Sequence, residues 1–528
     1  MITPSLRVAV LASVLPNLLV LCTAFAEEMK SDASSASASI ETLAQKGLWE
    51  GVLATATSEL KNSPTNPRLL LWQVRAYRMT GKFAVALALS EKALASAPTP
   101  ELLTEQAWIH AHMGAWQKCF LAGEGAAKLK PDALEPLLVQ MIACREMAQW
   151  DRCRTLVGVA ENLVPNDPAV LMMKGRCLEA AEKWPDAAAV FSQVATLKPD
   201  CAEAYYHRGL IFVRMRESAK ALKDFSQAIE LQPYASAPYV ARAELQEQAG
   251  EIESAAADAT LAIELGSRQS RPYLILARIA ALGGDWALAS DAAGKAIELG
   301  AGDAATYCLL GQAQREQGFV KEALKSFNRA MELDPHSQRA LLERAATHAV
   351  AANYPQVIAD CTQALAAKPV AMAYAMRGFA RLKQKEYDLA FEDSNNAVSL
   401  EPREVTGLLV RASVSLAWKN HGDALRDCAM AQRMAPQLAW THVVYGQALN
   451  ENGQLEAALK QYERAGQLAP EDAEAPLGQG RVLAAMGKRE EAVAAFEKAV
   501  TLDPSLKAEL APEMERLRDG KGPQGGNP

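Results

Sequence analysis

Residues 304–337 read AATYCLLGQAQREQGFVKEALKSFNRAMELDPHS, and their plan returns along the whole chain. The segments AIELQP (228–233), AMELDP (330–335), AVSLEP (397–402) and AVTLDP (499–504) close successive units in the same way. Aligned on that proline, blocks begin at 67, 100, 134, 168, 202, 236, 270, 304, 338, 371, 405, 439 and 473, mostly 34 residues apart and twice 33. A degenerate block over 33–66 precedes them and brings the count to fourteen. A fixed period in this range decides the architecture, because each unit is too small to bury its own apolar face and must stack on its neighbours.

Each block reads as two helices. In 202–235, Tyr205, Gly209 and Phe212 fall at i, i+4 and i+7 on one face, and Ala221, Phe225 and Ala228 do so on the next helix before Pro233 ends it. Glycine often stands between the helices (Gly250, Gly318, Gly453, Gly487), where a left-handed residue terminates the first. Gly209, Ala243, Ala277, Gly311, Gly378 and Gly446 share one slot; Ala221, Ala255, Ala289, Ala323, Ala390 and Ala492 share another. Small side chains in matched slots predict close helix–helix approach.

The pattern resembles the tetratricopeptide repeat, whose motif is W-x2-L-G-x2-Y…A-x3-F…P. Block 304–337 carries it as Tyr307, Leu310, Gly311, Ala323, Phe327, Ala330 and Pro335. The resemblance spans residues 33–506 and implies an all-α, right-handed α-α superhelical solenoid of about fourteen repeats. Departures are local: Met141 and Val74 fill the small-residue slot, and Gly266-Ser267 replaces Asp-Pro in one linker. Residues 507–518 are polar enough to form a capping helix, and 519–528 should be a loose Gly/Pro-rich tail.

With 528 residues, 50% of them hydrophobic and 22% charged, the chain exceeds a single core and lacks the composition of a collagen or a disordered acidic protein. A net charge of −7 offers no bulk attraction for nucleic acid. The start reads as a signal peptide over 1–26: Arg7, an apolar run Val8–Leu21, then Ala24-Phe25-Ala26, with Glu27 expected to open the mature chain. An uncleaved anchor is the alternative, and Leu21 disfavours lipidation at Cys22. A flexible Ser/Ala-rich linker over 27–38 follows. The expected product is exported, periplasmic or extracellular, without stable membrane insertion after cleavage.

No GxSxG, HExxH, Walker or EF-hand pattern is present, so no catalytic, metal or cofactor-binding residues are assigned and an enzyme is not expected. His110 and His112 lie two apart on a helix and cannot share a metal. After Cys22 the eight cysteines (119, 144, 153, 177, 201, 308, 361, 428) read mainly as small core residues, with one disulfide among Cys119, Cys144, Cys153 and Cys177 left open. Trp49, Trp116, Trp150, Trp184 and Trp286 share one slot, as do Phe83, Tyr354 and Tyr387, and read as packing anchors. Arg208/Asp224, Arg242/Asp258, Arg344/Asp360, Arg377/Asp393 and Arg411/Asp427 recur at a spacing of 16, predicting intra-repeat ion pairs of about 0.5–1 kcal/mol if partly exposed.

In the family, first helices line the concave surface and meet ligands. Carried over slot by slot, this implies a basic set, Arg271, Arg278, Arg315 and Arg339, opposed only by Glu316, and an apolar set with Leu342, Val350, Met372, Phe379, Leu382, Leu409 and Leu416. The reading is a non-enzymatic scaffold that binds an extended or helical segment of a partner protein in its groove. An adaptor in cell-envelope assembly or polymer export is the alternative, and an envelope enzyme or enzyme subunit a weaker one. An acidic segment bearing large apolar residues would suit both patches.

Overall fold

The computed structural model describes residues 35–519. They form two compact units that divide between Arg268 and Gln269, directly after the linker in which Gly266-Ser267 replaces Asp-Pro. Among the described residues there are helices and no strands. The described residues of the first unit hold fourteen α-helices, from Ser35–Gln45 to Ile252–Glu264; those of the second hold fifteen, from Arg271–Gly283 to Lys507–Arg518. The fold is an all-α superhelical repeat in which consecutive helices pack as pairs.

The helix ends follow from local chemistry. Asn66 and Asp167 cap the helices Pro67–Met79 and Pro168–Ala180, each accepting two backbone N–H bonds, and a proline occupies the first helical position of both. Second helices instead begin on the shared aromatic: Trp49, Phe83, Trp116, Trp150, Trp184, Trp286, Tyr354 and Tyr387 each stand at a helix start. These rings are partly buried against the core, as packing anchors should be.

The small slots have a measurable reason. A Cβ placed on Gly209 would lie 2.6 Å from the Phe225 ring, and one on Gly311 would lie 2.8 Å from that of Phe327. Each phenylalanine is fully buried and packs its ring against the glycine of its own first helix. Val74 and Met141, which depart from the small-residue rule, are also fully buried. Cys361 and Cys428 take the phenylalanine slot, and burial pushes both thiols up to about 12.

All five Arg–Asp pairs form with two-pronged geometry, Nε and Nη2 donating to the two carboxylate oxygens at 2.6–3.0 Å. The remaining Nη1 does something the spacing did not reveal. It reaches the second helix of the preceding repeat, donating to Ser192, Ser226, Asn328, Thr362 or Asn395 at 2.8–3.1 Å. Each arginine therefore ties one repeat internally and to its neighbour. The aspartates are 1–9% exposed, so the partly exposed energy scale does not apply. Removing one partner strands a buried charge and costs several kcal/mol.

Residues 1–34, with the expected signal segment, and the tail from 520 lie outside the described residues. The linker expected over 27–38 is helical from Ser35, because Ala accepts helix well and Ile40 is fully buried beside Val52 and Ala56. At the other end the helix Lys507–Arg518 buries Leu510 and Leu517 against the cluster that contains Phe496.

Candidate functional site

The ten candidate residues all lie in the second unit, on first helices of successive repeats. Arg271 and Arg278 stand on Arg271–Gly283, Arg315 on Ala304–Glu316, and Arg339 and Leu342 on Gln338–Val350. Met372, Phe379 and Leu382 stand on Ala371–Lys383, and Leu409 and Leu416 on Val405–Ala417.

Their exposure separates them. Arg339 is exposed and Met372 is 54% exposed, so both meet solvent. Arg271, Arg278, Arg315, Leu342, Phe379 and Leu382 are half-buried. Leu409 and Leu416 are core residues, at 0% and 3% exposure. They pack with Ala412, Ala424, Cys428 and Val444, and so cannot present to a partner. The expectation for these two was wrong because slot position was read without the neighbour that covers it. Trp440, on the helix Ala439–Glu451, packs against both this cluster and the one around Val410.

Phe379 takes part in the same closure. Its ring meets those of Trp440 and Tyr354 edge-on, with centroids 5.4 and 6.3 Å apart, and the Lys383 ammonium lies over it. The basic set is thinner than its sequence implies. Arg315 donates to Glu316 at 2.9 Å and to Glu343 of the next first helix at 2.7 Å, so its charge is neutralised on the surface. Glu343 was the missed element.

Two strongly exposed apolar side chains stand in the slot that Glu316 occupies in its own repeat. Leu282 is 78% exposed and Val350 67%. Val350 was among the candidates. Leu282 was not, although it sits twelve residues into its repeat just as Val350 does.

The first-helix face of the first unit carries a buried charge cluster instead. Glu105, 1% exposed on Pro100–His112, accepts hydrogen bonds from Arg75 and Arg78 of Pro67–Met79, the latter at 2.8 Å. Burial alone would raise its carboxyl; the two guanidinium groups outweigh that and hold it at about 2. Arg75 also lies over the Trp72 ring, and Trp108 Nε1 donates to Glu135 at 3.3 Å. Further along, Arg176 is hydrogen-bonded to His207 at 2.5 Å. His110 is buried, and His112 is bonded to the Trp108 carbonyl and stacked on Phe83. Among the described residues, no group of three or more His, Cys, Asp or Glu is placed to hold a metal, and no helix is long and apolar enough to cross a membrane.

Family models of the tetratricopeptide repeat match residues 172–238, 446–506 and 304–337. No curated protein matches the chain significantly. Solved structures similar to it include the Cut9–Hcn1 hetero-tetramer of APC/C, at 16% identity over 92% of this chain and 96% of that one, with a TM-score of 0.43. A tetratricopeptide repeat protein from Parabacteroides merdae is similar at 19% identity over 48% of this chain and 99% of that one, with a TM-score of 0.39. Yeast Tom70 is similar at 17% identity over 84% of this chain and 99% of that one, with a TM-score of 0.34.

Proposed function

Because this chain is a tetratricopeptide-repeat protein, a fold that serves protein interaction, we propose that it is a non-enzymatic scaffold whose second unit receives a segment of a partner protein along its first-helix face. The observation that carries this is the exposure of Leu282, Val350 and Met372, at 78%, 67% and 54%, on three first helices of that unit. Large apolar side chains left in water on a packed repeat surface gain by being covered. Arg339, exposed in the slot that Met372 occupies one repeat later, supplies a positive charge. A segment with large apolar residues and an adjacent acidic one fits this face, the charge steering encounter and the apolar contacts holding the complex.

The interaction is tested by co-purification from the native source using wild type, Val350→Glu and Met372→Glu. Both sites are exposed, so helicity should be unchanged and the specific partner should be lost. Retention of every partner by both variants sinks the proposal.

We also propose export, from the Arg7, Val8–Leu21 and Ala24-Phe25-Ala26 series, and with it a role in the cell envelope. Intact-mass measurement on protein from its own host should find Glu27 at the amino terminus. A chain retaining Met1, or lipid on Cys22, would refute it.

A further inference from the structure

His207 stands on Ala202–Arg214, the first helix of its repeat, and is 7% exposed. Its ring stacks on Phe191 of the preceding second helix, Trp184–Leu197, with centroids 5.7 Å apart, and meets the Tyr206 ring edge-on at 5.2 Å. Charged side chains flank both ring nitrogens. Nε2 lies 2.5 Å from Nη1 of Arg176, on Pro168–Ala180, the first helix of the repeat before. Nδ1 lies 3.2 Å from Oε2 of Glu179, one turn further along that helix. Glu203, one turn before His207 on its own helix, holds Oε1 3.9 Å from Nε2 and 4.0 Å from Arg176 Nη1.

A guanidinium carries only donors and keeps its charge at every pH a folded protein survives. Arg176 therefore needs an acceptor at Nε2. That nitrogen bears no proton, and the proton of the neutral ring sits on Nδ1, toward Glu179. A protonated ring is a donor at both nitrogens. Two donors cannot share the space between Nε2 and Nη1, whereas Glu203, just beyond hydrogen-bonding distance, offers Nε2 a carboxylate.

We infer that His207 is a proton-operated latch between two repeats: the neutral ring holds Arg176, and the protonated ring releases Arg176 and takes Glu203 in its place.

On the preceding first helix Arg176 and Glu179 face the ring. On its own helix Glu203 and Tyr206 do so, with Arg214 near Glu179, and Glu244 of Ser236–Ala249 stands near Tyr206. Asp224 of Ser218–Leu231 is taken by Arg208, and Trp184–Leu197 presents Phe191. Burial works against the Glu179 carboxylate, but His207, Arg176 and Arg214 together hold it below its ordinary range, so it keeps its charge beside Nδ1 in both states. Burial pushes the Tyr206 phenol up and out of the exchange. The two first helices thus stay joined through Glu179 and His207 while the surface changes. Glu203, 39% exposed, is drawn in, and the Arg176 guanidinium, 25% exposed, turns outward. Acid replaces an exposed carboxylate with an exposed guanidinium on the first-helix face of the first unit, and neither helix unfolds.

The test is nitrogen NMR of the full chain carrying isotope-labelled histidine, with the His207 signals identified by their absence from His207→Gln. At about pH 8 the ring should be the Nδ1–H tautomer, and toward about pH 5 it should gain a proton at Nε2. Arg176→Met removes the competing cation and should move the midpoint to higher pH. Glu203→Gln removes the waiting carboxylate and should move it to lower pH. Both positions are partly exposed, so the fold should be kept, and the tautomer of the unmutated protein needs no variant at all. An Nε2–H tautomer at about pH 8 would show that Arg176 does not hold the ring. A midpoint indifferent to both substitutions, or a ring that stays neutral until the protein unfolds, would overturn the exchange.

Discussion

The first-helix face around Glu105 and the one around Phe379 are built from the same slots of the same repeat, yet they are opposites. In the first unit a buried carboxylate is gripped by two arginines of the preceding repeat's first helix. In the second, an aromatic ring is wedged between Tyr354 and Trp440, with aliphatic residues beneath. Both faces are largely satisfied from within, one by charge pairing and one by apolar packing. What they leave for a partner is their edge: Leu282, Val350, Met372 and Arg339 in the second unit. A slot therefore states where a side chain stands; the neighbouring repeat decides whether it is free to bind.

The largest effect is expected at the buried charge. Glu105→Gln removes the buried carboxylate that Arg75 and Arg78 share and should cost about 3–5 kcal/mol. Hydrogen exchange should show lost protection in Pro67–Met79 and Pro100–His112. The same carboxyl gives the difference a pH signature. Its folded value of about 2 lies below the ordinary 4.5, so its stabilisation is fully present above pH 4.5 and is lost as pH falls toward about 2. Denaturation midpoints of wild type and Glu105→Gln should therefore converge over that window; a constant gap would show that the pair does not behave as described.

The arginine clasps come next, and they contain an internal control. Asp393 is held by both Arg377 and Arg381, whereas Asp360 is held by Arg344. Arg344→Met should cost about 2–3 kcal/mol, and Arg377→Met only about 1, because the second cation remains. Equal losses in chemical denaturation would mean that desolvated charge is not what these clasps manage.

Phe379→Ala should cost about 1–3 kcal/mol, less than a fully buried phenylalanine, because its ring is half-exposed. It would loosen Tyr354 and Trp440 as well as any bound segment, so binding lost in this variant cannot by itself locate the site. Met372→Ala, at an exposed position, should change stability by no more than about 0.5 kcal/mol. Any binding loss there reports contact. Calorimetry of the two variants beside a partner titration separates packing from recognition.

Much of this was legible in the sequence. The period of the prolines, the small-residue slots and the Arg–Asp spacing of 16 each have a short-range cause within one repeat, whereas the phenylalanine rings that meet the glycines were not foreseen. What was not legible is what one repeat does to the next. The third arm of each clasp, the grip of Arg315 by Glu343, and the burial of Leu409 and Leu416 beside the cluster that Trp440 joins all depend on side chains a repeat or more away. A slot-by-slot transfer treats repeats as equivalent, and these residues are where they are not. Leu282 shows the opposite error: the slot was informative, and its neighbour Glu316 made the row look polar.

The central claim is that a partner meets the first-helix edge of the second unit. It is tested most directly by placing a photo-cross-linking amino acid at Val350, Met372 or Leu400 of the full chain and irradiating it in the native extract. Leu400 is the control, an exposed apolar residue on the second helix Tyr387–Leu400 of the same unit. The account predicts one discrete adduct shared by positions 350 and 372 and absent at 400. The same adduct from all three positions, or from 400 alone, would contradict it.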